Sequence, residues 1–487
     1  MPGSRHPRQL PSRGESGRIG GLKDFREQAH RLADWIADYL ENPERFPVLS
    51  RVHPGDIRNA LPSSAPERGE EFDAIFADFE RIILPGVTHW NHPGFFAYFA
   101  ITASAPGVLA EFLSAALNQQ AMLWRTSPAA TELEEVALGW LRRLIGMPDA
   151  FEGVIYDTAS VSTLHALAAA RERAVPGVRA AGLAGRAESR GVRVYCGEHA
   201  HSSVDKAVIL LGLGHDALTR IPADADFRMR PALLAGAISA DRAAGLLPIA
   251  VVATVGSTSS TSVDPVDEVA AICEREGVWL HIDAAYAGVA AMVPGYEWIL
   301  RGAEKADSLV VNPHKWLFTP FDLSVLYCRR MDVLRQAFAL TPEYLKTSEG
   351  AAGVRNLMDT GIQLGRRFRA LKLWMIMRHF GAEGLRAHLS EHMRLARVFA
   401  GWVDDSARFE RVAPVPFSVV CFRLRGEHTD EAHQRVLDTV NASGDVFLSH
   451  TKLDGRFVFR LAIGNLNTTE RHVARAWELL NSAAAAR

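Results

Sequence analysis

The chain has 487 residues, enough for two or three packed units and for a buried site between their elements. Its composition, 48% hydrophobic and 23% charged, lies near the soluble globular average and excludes disordered, collagen-like and coiled-coil readings of the whole chain. With 54 Lys and Arg against 56 Asp and Glu the formal charge is −2, so no bulk attraction to nucleic acid or anionic lipid is expected, and a small molecule is the default partner.

Residues 1–21 are rich in Pro, Gly, Ser and Arg and carry too few apolar side chains to offset the entropy of ordering, so they read as a disordered tail. No apolar h-region follows the arginines and Glu15 interrupts them, so they do not read as a targeting peptide. From Asp24 onward, Phe25, Ala29, Leu32, Ile36 and Leu40 recur at helical spacing, and a second such helix follows Glu70, so residues 22–105 read as a helical arm. Between about 150 and 330, apolar runs alternate with Ala-rich helical stretches. The runs are VRVYCG (192–197), AVILLG (207–212), LPIAVVATVG (247–256), VWLHID (278–283), SLVVN (308–312) and LSVLYC (323–328). This pattern predicts an α/β fold with a large, mainly parallel sheet in a domain over 106–385, and chemistry at the loops after the carboxyl ends of its strands. The chain then turns helical (RRFRALKLWMIMRHF) and shows strand-like FSVVCFRL and RFVFRLAIG before a helix from Thr468, which predicts a smaller α+β domain over 386–487. The four cysteines are scattered without a Cys-x-x-Cys pair, so neither a zinc site nor a disulfide framework is expected, and a reducing cytoplasm fits. The longest apolar stretch, 246–256, contains Pro248 and is well short of the roughly 20 residues of a membrane helix, so no membrane partner is expected.

Three runs carry chemistry. Val310-Val311-Asn312-Pro313-His314-Lys315-Trp316 delivers a lysine at a strand end, where partial desolvation would lower the amine pKa and prepare it to form a Schiff base. Taken alone, a loop lysine is usually a solvated charge. The second run, from Trp279 to Gly288, ends a buried strand on Asp283 followed by Ala284 and Ala285; alone, that acid reads equally well as a helix cap or half of an ion pair. Together, an acid for a pyridine nitrogen and a lysine for an imine are what pyridoxal phosphate requires. In the third run, Asp157-Thr158-Ala159-Ser160 opens a helix whose free N–H groups and hydroxyls can cradle a phosphate, although such residues also cap ordinary helices. A rival reading, a dinucleotide site at Gly212-Leu213-Gly214-His215-Asp216-Ala217, fails because Pro222 follows closely and no periodic helix does.

From about Gly21 to about Asn481 the chain resembles the group II pyridoxal-phosphate decarboxylases. It is most similar to the aromatic L-amino acid decarboxylases, including bacterial enzymes acting on DOPA, tyrosine or tryptophan. The resemblance rests on LPGVTHW (84–90), HPGFFAYF (92–99), SPAATELEEVALGWLRRLIGMP (127–148), DTAS (157–160), AHSSVDKA (200–207), ATVGSTSS (253–260), HIDAAYAG (281–288), NPHKW (312–316), EYLK (343–346) and LGRRFRALKLW (364–374), all in order. It implies fold type I, pyridoxal 5'-phosphate as cofactor, a homodimer exchanging its N-terminal arms, no metal, and an amino acid as substrate. On this mapping Lys315 binds the cofactor covalently and Asp283 pairs with the pyridine nitrogen. His201 stacks on the ring and helps to hold the substrate carboxylate, with His199 as a bystander. Thr254 contacts the ring substituent beside the covalent link, Ala285 packs against the ring, His314 adjoins Lys315, and Ala159, Ser160 and Asn312 bind the phosphate. Trp90, Tyr98, Ile101, Leu117, Met122 and Leu357 occupy substrate-pocket positions, an apolar set suited to an aromatic side chain. The implied reaction is decarboxylation to the amine and CO₂.

Two departures matter. Animal members carry a tyrosine in a mobile loop before LGRRF that helps protonate the substrate carbon after CO₂ leaves; here Leu357 stands in its place, and no tyrosine occurs between Lys346 and Phe368. Another donor is then required, and oxidative deamination to an aldehyde becomes the alternative outcome. The segment 348–360 is polar, carries Gly350 and Gly353 and reads as a lid. Arg125 replaces a smaller or neutral residue and reads either as a surface charge or as a substrate contact.

Overall fold

The computed structural model describes residues 24–185, 191–340, 354–426 and 428–485. The expected tail and residues 348–353 of the expected lid lie outside them. The chain divides into two compact units, the first ending at His89 and the second beginning at Trp90.

In the first unit the helix Phe25–Glu41 follows the predicted period. Its Trp35 stacks on Tyr39 at 5.6 Å and meets Phe76 and Phe79 edge-on, while the Tyr39 hydroxyl lies 2.9 Å from Nδ1 of His89. No residue of this helix is fully buried, and Phe25 is exposed.

The second unit holds two sheets. Its strands are β1 (Phe95–Phe96), β2 (Glu152–Tyr156), β3 (Val192–Gly197), β4 (Leu218–Ile221), β5 (Leu247–Thr254), β6 (Trp279–Asp283), β7 (Ser308–Val311), β8 (Ser324–Cys328), β9 (Phe409–Arg411), β10 (Val419–Leu424), β11 (Phe447–Leu453) and β12 (Arg456–Ala462). The larger sheet runs β2-β8-β7-β6-β5-β3-β4, parallel from β7 to β4, with β8 antiparallel to both its neighbours. Strands β6, β7 and β8 are buried along their whole length, as expected where both faces are covered by helices. On one face the helix Ala159–Ala174 lays Ala166, Ala169 and Ala170 against Val154 and Val194, its small side chains allowing close approach. The smaller sheet runs β1-β11-β12-β10-β9 over an aromatic core that includes Phe399, Phe422 and Phe459.

The α/β architecture follows the prediction, with corrections. The run AVILLG is not a strand: it falls in the helix Ser203–Leu210, which buries Ser203, Val204, Ala207 and Val208 and leaves Ile209 and Leu210 exposed. A short apolar run does not by itself separate a strand from a half-buried helix. The strand in this region is β4, at the sheet edge. Gly212 and Gly214, both at positive φ, follow the end of that helix and lead only into the 3-10 turn His215–Ala217, not into an α-helix, which removes the geometry a dinucleotide site needs. Residues 90–105, read from sequence as part of the arm, belong to the second unit, because β1 pairs in parallel with β11 at Phe95–Phe447 and Phe96–Leu448. The helical segment Ala370–Asp404 breaks at Gly381 (φ 63°, ψ 173°).

Candidate active site

Strands β5, β6 and β7 end side by side, Thr254 pairing with Asp283 and Asp283 with Val310. This register brings three strand-end loops to one place. Asp283 is 7% exposed, and its Oδ1 accepts the Ala285 N–H at 3.1 Å, which fixes the carboxylate and the turn after β6 together. Beyond β7, the Asn312 N–H donates to the Ala285 carbonyl at 3.0 Å, and a single helical turn, Pro313–Trp316, presents Lys315. Burial pulls the Lys315 amine below its usual range; Asp283 opposes that shift and Arg460 adds to it. A lysine so placed reaches its neutral, nucleophilic form more easily than a surface one.

Thr254 is held from behind. Its N–H donates to Oδ2 of Asp264 at 2.8 Å, while Oδ1 of Asp264 accepts the Met229 N–H at 2.7 Å; burial pushes that carboxyl up to about 6. His201, on the loop after β3, accepts the Ser203 N–H on Nδ1 at 3.1 Å, which leaves Nε2 to carry the proton of the neutral ring. Burial lowers its pKa, against the pull of Asp283. His314 is buried, accepts the Leu323 N–H on Nδ1 at 2.9 Å, and has its pKa pushed down to about 3, so it stays neutral and serves shape and hydrogen bonding.

These side chains surround one cavity of about 200 Å³. Its walls include Lys315, Asp283, Thr254, His201, Ala285, Asn312 and His314, with Ala159 and Ser160 at the start of the helix Ala159–Ala174. All nine residues read from sequence as cofactor-binding therefore meet. Of the six substrate positions, Ile101 lines the cavity. Trp90 stacks on Phe95 at 4.3 Å, Tyr98 and Leu117 are each 55% exposed, and Met122 packs beside Leu123 and Met358. Leu357 is buried in the turn Leu357–Thr360, away from the lining. Thr158, from the run read as a phosphate cradle, lines the cavity too; sequence reasoning missed Phe99, Gly256, Thr258, Tyr286 and Phe321. The first four lie inside the motifs; nothing in the sequence marked Phe321.

The cavity fits pyridoxal phosphate. Thr254 Oγ1 and Asn312 Oδ1 are buried without any protein partner, an arrangement that a polar ligand would relieve. Thr158 makes no side-chain cap, so the helix start at Ala159 and Ser160 offers N–H groups and a hydroxyl to a phosphate. Ala285 leaves room for a flat ring beside Asp283.

Residues 54–425 match the family model for the pyridoxal-dependent decarboxylase conserved domain. The chain is 42% identical to tryptophan decarboxylase 2 of Oryza sativa subsp. japonica over 476 residues, 95% of each chain. It is 41% identical to phenylacetaldehyde synthase of Arabidopsis thaliana over 476 residues, 95% of this chain and 96% of that one. A solved structure of Oryza sativa TDC with PLP and tryptamine superposes with a TM-score of 0.91 at 38% identity, covering 95% of this chain and 98% of that one. With the lysine, the acid and the phosphate cradle converging on one cavity, these matches establish that the chain belongs to the pyridoxal-dependent decarboxylases and is a carboxy-lyase that works with pyridoxal phosphate.

Proposed function

We propose that the protein decarboxylates an aromatic L-amino acid to the corresponding amine. The observation that carries this reading is the apolar part of the cavity lining: Phe99, Ile101, Tyr286 and Phe321 are apolar or aromatic, Lys315 is the lining's basic amine, and its two histidines are neutral and already engaged. Among the lining residues an acidic substrate side chain would find no counter-charge apart from Lys315.

Bound pyridoxal phosphate supplies a conjugated sink for the electron pair left when CO₂ departs. The chain supplies the rest. Lys315 would hold the cofactor covalently, the Asp283 carboxylate would keep positive charge on the ring nitrogen, and Thr158, Ala159, Ser160 and Asn312 would take the phosphate. Thr254 and Ala285 would hold the ring, and His201 would orient the substrate carboxylate. By holding that carboxylate in one orientation, these residues would select which bond breaks. Because Leu357 offers no transferable proton, the proton for the substrate carbon would come from His201 Nε2 or from the Lys315 amine, both of which line the cavity. Identity to a phenylacetaldehyde synthase nearly equals that to a tryptophan decarboxylase, which favours aldehyde formation as the second reading. Incubating the holoenzyme with tryptophan, tyrosine, DOPA, phenylalanine, histidine and glutamate and weighing the products by mass is expected to show amines from the aromatic members. Equal or better turnover of glutamate would reject the apolar-pocket reading, and a dominant aldehyde would select the second.

The working unit is a homodimer with its N-terminal arms exchanged. The helix Ala105–Leu117 exposes Leu109, Phe112, Leu113 and Leu117, a stripe at helical spacing, and Tyr98 is equally open; such a contiguous patch is what a second copy would cover. It would also let Leu117 and Tyr98 reach a site in the partner chain. Sedimentation at assay concentration is expected to give a dimer, and an active monomer would refute it. Among the described residues no helix is long and apolar enough to cross a membrane, and all four cysteines are buried and unpaired, which supports a cytoplasmic placement.

A further inference from the structure

Arg460 lies on β12, the central strand of the smaller sheet, and is 3% exposed. No carboxylate of the described residues pairs with it. Its Nε donates to the Ser259 carbonyl at 2.9 Å, and one terminal nitrogen donates to the Tyr98 carbonyl and to Ser449 Oγ, both at 3.2 Å; the other terminal nitrogen is buried without a partner. A buried cation with neutral partners is costly, so its retention calls for a role. Its contacts supply one. Ser259 follows Thr258 on the cavity wall, Tyr98 precedes Phe99, and the Arg460 guanidinium carbon lies 5.2 Å from the Phe99 ring centroid, the same distance as Lys315 Nζ.

We propose that Arg460 is a positioning residue of the decarboxylase: it pins the Tyr98–Phe99 and Thr258–Ser259 walls to the smaller sheet and places an unneutralised positive charge against the same Phe99 ring that Lys315 approaches. The role rests on Lys315 being the cofactor-bearing amine. The charged and titratable groups facing Lys315 are Asp283 from β6, His201 from the loop after β3, the adjacent His314, and Arg460 from β12. Asp283 favours a protonated nitrogen at Lys315, and Arg460 disfavours it. The two therefore oppose each other at one atom, and the charge on Arg460 shifts the titration of that nitrogen downward, beside the larger effects of burial and Asp283.

The test follows the visible band of the Lys315-linked cofactor against pH in the holoenzyme. Arg460→Gln removes the charge, and the titration midpoint is expected to rise by about 0.5 to 1. Arg460→Lys retains the charge and is expected to stay near wild type. Should the glutamine variant fail to fold, Ser449→Asp puts a carboxylate beside the guanidinium, neutralises it in place and is expected to raise the midpoint in the same direction. In each variant with a raised midpoint kcat should fall more than KM changes. Unchanged midpoints in both charge-neutralised variants would overturn the proposal, as would a rise in KM alone in Arg460→Gln, which would make it a direct substrate contact. A holoenzyme with no chromophore on Lys315 would instead sink the functional reading itself.

Discussion

Lys315→Ala is expected to lower steady-state turnover by a factor on the order of 10⁴ or more, equivalent to about 5.5 kcal/mol of transition-state stabilisation. Its amine is the group at the cavity that is both primary and drawn by burial toward its neutral form. Borohydride should bleach the wild-type protein and fix the cofactor mass on the peptide containing residue 315; in the variant that peptide should stay unlabelled. The variant should keep its fold, because the change removes a poorly solvated amine that makes no side-chain hydrogen bond among the described residues and lies 5.2 Å from the Phe99 ring centroid. A thermal melt confirms this and separates lost chemistry from lost structure. Wild-type-like turnover by the alanine variant would reject the assignment of Lys315.

Most of this site was legible because its residues sit at strand ends, where a run of buried apolar side chains stops on a polar one. VWLHID stops on Asp283 and SLVVN on Asn312, and the pairing of β5, β6 and β7 then has to bring those ends together. What was not legible depends on tertiary contacts. Leu218-Thr219-Arg220-Ile221 forms an edge strand with one exposed and two half-buried positions, so its sequence carries no continuous apolar run. β1 is two residues long and pairs with residues more than 350 positions away, a contact no local pattern encodes. Phe321 reaches the cavity through the loop after Lys315, held by the Lys372 ammonium, which donates to the carbonyls of Pro320 at 3.0 Å and Asp322 at 2.9 Å. Arg460 reads from sequence as one polar position in a strand, and its meaning is in its burial and missing counter-charge. The exposure of Tyr98 and Leu117 follows the same logic one level higher, since the partner proposed for them is a second chain.

Asp283→Ala is expected to reduce kcat by about 10³ to 10⁵, or about 4 to 7 kcal/mol, while leaving the covalent link at Lys315 intact. Without the carboxylate the pyridine nitrogen would be neutral, and the ring would lose much of its capacity to accept the electron pair released with CO₂. Alanine also deletes the acceptor for the Ala285 N–H, so the informative variant is Asp283→Asn, whose side-chain oxygen can keep that 3.1 Å hydrogen bond and remove only the charge. If charge is what matters, asparagine should be nearly as damaging as alanine to kcat but gentler on thermal stability. A cofactor methylated on the ring nitrogen carries a fixed positive charge and should restore part of the lost rate in both variants. Removing the acid should also shift the titration at Lys315 downward, opposite to the effect of neutralising Arg460, because Asp283 is the group favouring a protonated nitrogen there. A turnover within a few-fold of wild type in Asp283→Asn would show that the residue does no more than hold the turn after β6.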